Sequence, residues 1–385
     1  MTGPGPGPGP GPGPGPGPGP GSLADRLGAF AGRRVLVTGH TGFVGAWLVE
    51  LLAAAGAEVT GYALEPLPGS LAATAGPPPG VRSIVGDVRD PGALAGALHQ
   101  SGASVVLHLA AQALVLPSYD DPLGTFETNV TGTVRLLEAV RSAPQVAACL
   151  VVTSDKCYAV GPAAHTEGDP LGGEDPYSAS KAATELVAHA WRASFAPAGG
   201  ALATARAGNV VGGGDAAPER IVPDLARALR AGSPLVLRRP DAVRPWQHVL
   251  DAVAGYLRLT VALLEGDPVA EAWNFGPEPG AAASVGEFVD LLAAACRRAG
   301  RAAPDIVAGP PGPPERHVLL LDSTKARHRL GWRPVLDLEA TAEWTIEWYL
   351  AARDGAAGTR ALTRSQIERY LALEHDGAGT TGLPA

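Results

Sequence analysis

Arg34-Val-Leu-Val-Thr38 runs without a break into Gly39-His-Thr-Gly42-Phe-Val-Gly45 and then into an apolar stretch reaching Leu52. A short β-branched run closed by glycine reads as a buried strand, and the residues after Gly42 have helical spacing. Strand, glycine turn and helix in this order leave few folds open. Glycines three apart let the backbone turn tightly and approach a pyrophosphate, whose charge is favoured at a helix amino end. The reading is an α/β protein, Rossmann-like, with a doubly wound parallel sheet. A dinucleotide would lie over Gly39, Thr41, Gly42, Phe43 and Gly45; a merely structural turn is the alternative.

The next segments keep the same alternation. Glu58 to Tyr62 is a second strand, after which an acidic residue would bind the ribose diol of NAD and repel a 2′-phosphate. Ala63-Leu64 stand at that position, with Glu65 slightly late, so NAD is preferred over NADP. Val81 to Val85 is a third strand, ending in Gly86-Asp87-Val88, where the Asp87 carboxylate can accept from an adenine amino group or simply form a turn or cap. Val105 to Leu109 is a fourth, followed by Ala110-Ala111-Gln112, small residues that let a loop lie close to a cofactor. Thr125 to Arg141 is an amphipathic helix carrying Asn129, placed to hold that loop or a water, or to be an ordinary surface amide.

Chemistry concentrates further on. Cys149-Leu-Val-Val-Thr153 reads as a parallel strand, so Ser154, Asp155 and Lys156 sit at its carboxyl end, where open α/β sheets bind ligands. Tyr177 and Lys181 are four apart on a helix and therefore share a face, where an ammonium can lower a phenol's pKa. A solvated Asp-Lys pair and a chance Tyr-x-x-x-Lys are the bland readings. Leu202 to Arg206 leads to Asn209 and to Gly212-Gly-Gly-Asp215, a route for backbone amides toward a second diphosphate. Arg206 and Arg244 are the candidate phosphate forks. Ile221 to Leu229 and Ser284 to Ala295 have helical spacing and belong to a smaller lobe.

The length of 385 residues allows two joined units: residues 23–212 with parts of 246–276 for the dinucleotide, and 213–245 with 277–350 for a second ligand. Residues 1–22 form a Gly-Pro tail unable to build a core or a ladder, and 351–385 a C-terminal tail with a disordered end. A net charge of -8 speaks against nucleic acid, and no apolar run is long enough for a membrane. Three cysteines and nine scattered histidines lack metal-ligand spacing, and no basic-then-apolar leader opens the chain. A cytoplasmic protein without a metal is expected.

Gly39-x-x-Gly42-x-x-Gly45, Asp87, His108-Leu-Ala-Ala-Gln112 and Tyr177-x-x-x-Lys181 together resemble the extended short-chain dehydrogenase/reductases that act on nucleotide sugars. Within that group the chain is most similar to CDP-glucose 4,6-dehydratases, through Val152-Thr-Ser-Asp-Lys-Cys-Tyr158, Ala205-Arg-Ala-Gly-Asn-Val210, Arg244-Pro-Trp-Gln-His248-Val249 and Trp273-Asn-Phe-Gly-Pro277. The resemblance implies NAD as cofactor and oxidation at C4 of glucose with Tyr177 as base. Elimination across C5 and C6 follows, with Asp155 as acid and Lys156 as base, and hydride then returns to C6. It also implies Ser154 on the C4 oxygen, cofactor contacts from Leu109, Ala110, Ala111, Tyr177 and Lys181, substrate contacts from Gln112, Asn129, Asn209, Arg206, Arg244 and His248, and a homodimer. The chain departs from the pattern at Val44, Ala46, Leu116 and Pro117, where cationic or bulkier residues are usual near the cofactor and sugar. An epimerase working through a 4-ketone, which needs no Asp-Lys pair, and a silent NAD-binding scaffold are the competing readings.

Overall fold

The computed structural model describes residues 21–161, 164–195, 200–278, 280–310, 316–351 and 355–379. The disorder expected of the Gly-Pro run up to residue 20 and of residues 380–385 lies outside this set. Ser22, assigned to the tail, is folded: it is buried and caps the short helix Leu23–Leu27 in a capping box with Asp25.

Seven parallel strands form one sheet: β1 (Arg34–Thr38), β2 (Glu58–Ala63), β3 (Arg82–Val85), β4 (Val105–His108), β5 (Ala148–Val152), β6 (Ala201–Ala207) and β7 (Ala272–Phe275). Their order across the sheet is 7-6-5-4-1-2-3. The chain winds outward from β1 through β2 to β3, then crosses back and winds the other way from β4. β1 and β4 are therefore neighbours whose following loops diverge, which opens a crevice at their carboxyl ends.

Helices cover both faces, so the central strands are largely apolar and alternate mainly in which core they serve. Val35, Val37, Leu107 and Leu150 face α1 (Phe43–Ala54) and an almost wholly buried helix at Val249–Glu265, with Trp47, Trp273, Phe275 and Trp332 among the buried rings. Leu36, Val106, Cys149 and Val151 face the opposite side, against Leu94, Leu98, Leu136 and Leu137. A third cluster, around Phe288, Leu292, Val222, Leu225 and Trp246, belongs to a smaller unit built from helices Ile221–Ala231, Val285–Arg298 and Leu338–Ala351.

Two elements differ from expectation. The single helix foreseen over 125–141 is interrupted: Pro122–Phe126 and Gly132–Arg141 are α-helical, but Glu127–Thr131 is a π-helical turn that carries Asn129. Residues 355–379, expected as a tail, form a helix docked on the sheet domain. Its Arg360 reaches Glu50 of α1 at 3.0 Å, and Tyr370 donates to Asp251 at 2.9 Å. Thr359, Thr363 and Gln366 make up most of its fully buried positions, so an apolar stripe does not announce it.

Candidate active site

The glycine turn lies in the crevice between β1 and β4. Gly39 has φ +76°, and a Cβ there would stand 2.6 Å from the backbone nitrogen of Ala110, so the β4 loop can pass only over a glycine. A Cβ on Gly45 would stand 2.2 Å from the Gly39 carbonyl oxygen. Gly42 is the N-cap of α1 and brings no capping side chain, which leaves the first-turn amides turned to the cleft. Thr38 Oγ1 lies 2.6 Å from His108 Nδ1 and accepts from the Ala110 amide, joining the two strand ends. Burial pushes His108 down to about 3, so it is neutral. The cavity of about 720 Å³ that opens here is lined by Gly39, Thr41, Gly42, Phe43, Gly45, Glu65, Asp87, Val88, Leu109, Ala110 and Ala111 on this side. Asp87 also holds Arg89 through paired hydrogen bonds.

The same cavity continues to Ser154, Asp155, Lys156, Tyr177, Lys181, Asn209 and Arg244. Ser154 ends the strand and caps a one-turn 3-10 helix, Asp155–Cys157. Its hydroxyl accepts from the Lys156 amide at 3.2 Å and donates to Asp155 Oδ1 at 2.9 Å. Asp155 Oδ2 is buried without a hydrogen-bond partner, and burial raises this carboxyl above the usual range. Such a group favours its protonated, donating form.

Tyr177 and Lys181 share one face of α2 (Pro176–Phe195), whose first turn is fixed by Asp175 and by Ser118 Oγ accepting from the Tyr177 amide. The expected lowering of the phenol by the ammonium is overturned. Burial pushes Tyr177 up to about 12, opposed first by the hydrogen bond with Ser154, and burial pulls Lys181 down to about 8. The Lys181 Nζ lies 6.0 Å from the Tyr177 ring centroid. In this water-poor cleft the cost of desolvating each charge exceeds what the two gain from one another.

Four candidates do not line the cavity. Asn129 sits in the π turn, accepts from the Gln112 amide at 2.8 Å, and donates to the Gln112 carbonyl and to Ser180 Oγ. It holds the loop, and the Gln112 side chain is spent on Leu114 and Thr125. His248 is wholly buried as the N-cap of helix Val249–Glu265, between the rings of Trp47 and Trp344. Arg206 points away from the cleft into a buried pair with Glu185. Its side of β6 was not legible, because a strand buried on both faces carries no polar alternation.

Arg220, Arg238, Arg239 and Tyr256 line the cavity and were missed. The arginines carry no motif; they become neighbours of Arg244 only when the smaller unit folds over the sheet edge. Tyr256 lies in the middle of an apolar helix and reads as core. Glu219, next to Arg220 in the chain and 3.9 Å from Arg238, takes φ +63°, the one positive φ of a non-glycine among the described residues. Val44 and Leu116, two of the departures from the family pattern, also line the cavity.

A bare glycine cradle, an uncapped helix amino end and an acid after β2 fit a nicotinamide dinucleotide, and a Tyr-Lys pair beside it defines the class: a Rossmann-type hydride-transfer site over a second ligand. Residues 35–276 match the family model of the NAD dependent epimerase/dehydratase family. CDP-glucose 4,6-dehydratase of Salmonella typhimurium is 42% identical over 330 residues, covering 83% of this chain and 91% of that protein. dTDP-glucose 4,6-dehydratase of Streptomyces griseus is 33% identical over 326 residues, 82% and 93% of the two chains. Among solved structures, DesIV, the dTDP-glucose 4,6-dehydratase of Streptomyces venezuelae with NAD and TYD bound, superposes with a TM-score of 0.72 at 28% identity, over 82% of this chain and 97% of that one. The chain belongs to the NAD dependent epimerase/dehydratase family.

Proposed function

We propose that this protein is an NAD-dependent nucleotide-sugar 4,6-dehydratase that converts CDP-glucose to its 4-keto-6-deoxy product. The observation that carries the reading is the convergence of Ser154, Asp155, Lys156 and Tyr177 on one cavity with the glycine turn. An epimerase needs only the tyrosine; the adjacent acid and amine suit elimination. Similarity to the Salmonella CDP-glucose enzyme supports the choice of nucleotide.

Gly39, Thr41, Gly42, Phe43 and Gly45 would hold the cofactor diphosphate, Asp87 and Val88 the adenine, and Leu109, Ala110, Ala111 and Lys181 the rest of the dinucleotide. Bound NAD supplies reversible hydride exchange with the sugar. Tyr177 Oη, as the phenolate, takes the proton of the C4 hydroxyl while Ser154 Oγ hydrogen-bonds that oxygen. Lys156 Nζ, as the free amine, removes the C5 proton, and the Asp155 carboxyl delivers a proton to the departing C6 hydroxyl. Burial raises the Asp155 carboxyl, which favours the protonated form that step uses. Arg244, with Arg220, Arg238 and Arg239, supplies the positive side of the cleft for the sugar diphosphate, and Asn209 the approach of the backbone. The sheet domain thus serves the dinucleotide, and the smaller unit of 213–245 and 277–350 the nucleotide sugar.

The working unit we assign is a homodimer. Helices Val115–Asp120, Pro122–Phe126 and α2 expose Tyr119, Leu123, Phe126 and Leu186; Leu123 is 70% and Leu186 58% exposed, in keeping with a covered face in the assembly. We assign it to the cytoplasm: all three cysteines are buried free thiols, and among the described residues no helix is long and apolar enough to cross a membrane. The test is incubation with CDP-glucose, and in parallel with other nucleotide glucoses, in deuterated water. A 4-keto-6-deoxy sugar carrying deuterium at C5, seen by NMR, is the expected product. Epimerised sugar without loss of water would sink the dehydratase reading.

A further inference from the structure

Glu185 stands one helical turn beyond Lys181 on α2 and is 1% exposed. Each oxygen of its carboxylate is engaged: Oε1 accepts from Thr153 Oγ1, and Oε2 accepts from Thr204 Oγ1 and Arg206 Nη2, both at 2.8 Å. Arg206 uses its other Nη to donate to Tyr158 Oη at 2.8 Å and to the Glu167 carbonyl at 3.2 Å. Tyr158 Oη in turn donates to Asn274 Oδ1 at 2.6 Å. The pair therefore joins α2, the ends of β5 and β6, the turn after Asp155 and β7.

Removing two charges from water costs several kcal/mol per ion, and a hydrophobic pair of equal volume is often at least as stable. A charged pair at this place calls for a reason other than stability. Thr153 precedes Ser154, Tyr158 follows the Asp155-Lys156-Cys157 turn, and Glu185 follows Tyr177 and Lys181 on the same helix face. None of Glu185, Arg206 and Thr204 lines the cavity.

We propose that Glu185, fixed by Arg206, is a positioning residue that supplies the counter-charge for Lys181 and ties the helix of Tyr177 and Lys181 to the strand end of Ser154 and Asp155. The tie between the two segments rests on the reading of those four residues as the reacting set. Burial alone would push Glu185 up, but the Arg206 guanidinium and the hydrogen bonds hold it below the usual glutamate range, so it remains a carboxylate. Lys181, drawn down to about 8 by burial, is held up chiefly by that carboxylate. The other groups around the pair are Cys157 from the turn after β5, neutral His108 from β4, Tyr158, and Arg192 one further stretch along α2. Cys157 and Tyr158 are both pushed up by burial, so neither offers Lys181 an anion near neutral pH.

The chain contains three lysines, Lys156, Lys181 and Lys325, so 13C labelling at lysine Cε gives three signals, assigned with Lys156→Arg and Lys325→Arg. In the full-length protein, Glu185→Gln lowers the Lys181 titration midpoint by about one pH unit, the size expected for losing one charge at a distance of several ångströms in a partly polar interior. The alkaline limb of the turnover profile moves down with it. Should the single variant not fold because Arg206 is left unpaired, Glu185→Gln with Arg206→Gln removes both charges and is read in the same way. An unmoved Lys181 midpoint, with only a lower melting temperature, overturns the assignment. A moved midpoint in a protein that converts no CDP-glucose supports the counter-charge role and overturns the dehydratase reading instead.

Discussion

Replacing Tyr177 by Phe removes a single oxygen from a cleft whose walls otherwise stay in place, and loss of a positioned base costs about 10²–10⁴-fold. Turnover of CDP-glucose is expected to fall by that factor while NAD still binds. Lys156→Ala acts later in the cycle. C4 oxidation proceeds, elimination stops, and reduced cofactor accumulates as absorbance at 340 nm; elimination at the full rate would refute Lys156 as the C5 base. The placement of Ser154-Asp155-Lys156 and Tyr177-x-x-x-Lys181 was legible, because a strand end and a helical spacing of four determine which way short segments aim their side chains; the roles proposed for them come from the family resemblance. The ionisation of Tyr177 and Lys181 was not legible. It depends on how completely the cleft excludes water, and burial moved each against the sense of the pairwise attraction.

At the scale of elements, the β1 turn is the least forgiving part of the molecule. A Cβ at position 45 would fall 2.2 Å from a backbone oxygen that has no room to retreat. Gly45→Ala is therefore expected to weaken NAD affinity at least about tenfold and to lower stability by about 1–3 kcal/mol. Titration calorimetry and thermal melting check the two effects. That turn could be read directly, since glycine spacing and strand hydrophobicity are local properties. Helix Gly355–Gly379 could not be read: its contact face is largely Thr359, Thr363 and Gln366, which bond to Trp348, to the Trp344 carbonyl and to their own backbone. The π turn at Glu127–Thr131 was hidden for a related reason. Its value lies in aiming Asn129 at the Gln112 loop, a partner 17 residues away.

For the whole molecule, the exposed apolar face on α2 and its neighbours makes the oligomeric state a test of the assembly. Leu186→Glu would place a charge in the proposed dimer face, and light scattering is expected to report a dimer for the parent protein and a monomer for the variant. A parent protein that is already monomeric removes this assignment without touching the cleft. By itself the sequence determined the doubly wound sheet, the dinucleotide turn and where the Ser-Asp-Lys and Tyr-Lys sets stand on their elements, because each follows from periodicity, glycine placement or spacing within a few residues. Tertiary structure alone decided that Arg206 and His248 belong to the interior, that Arg220, Arg238 and Arg239 meet Arg244 in the cleft, and that Glu185 stands beneath Lys181 among donors from the end of β5 and from β6. Those outcomes depend on segments distant in the chain closing on one another, where the cost of burying a charge is met only by the partner that the fold brings.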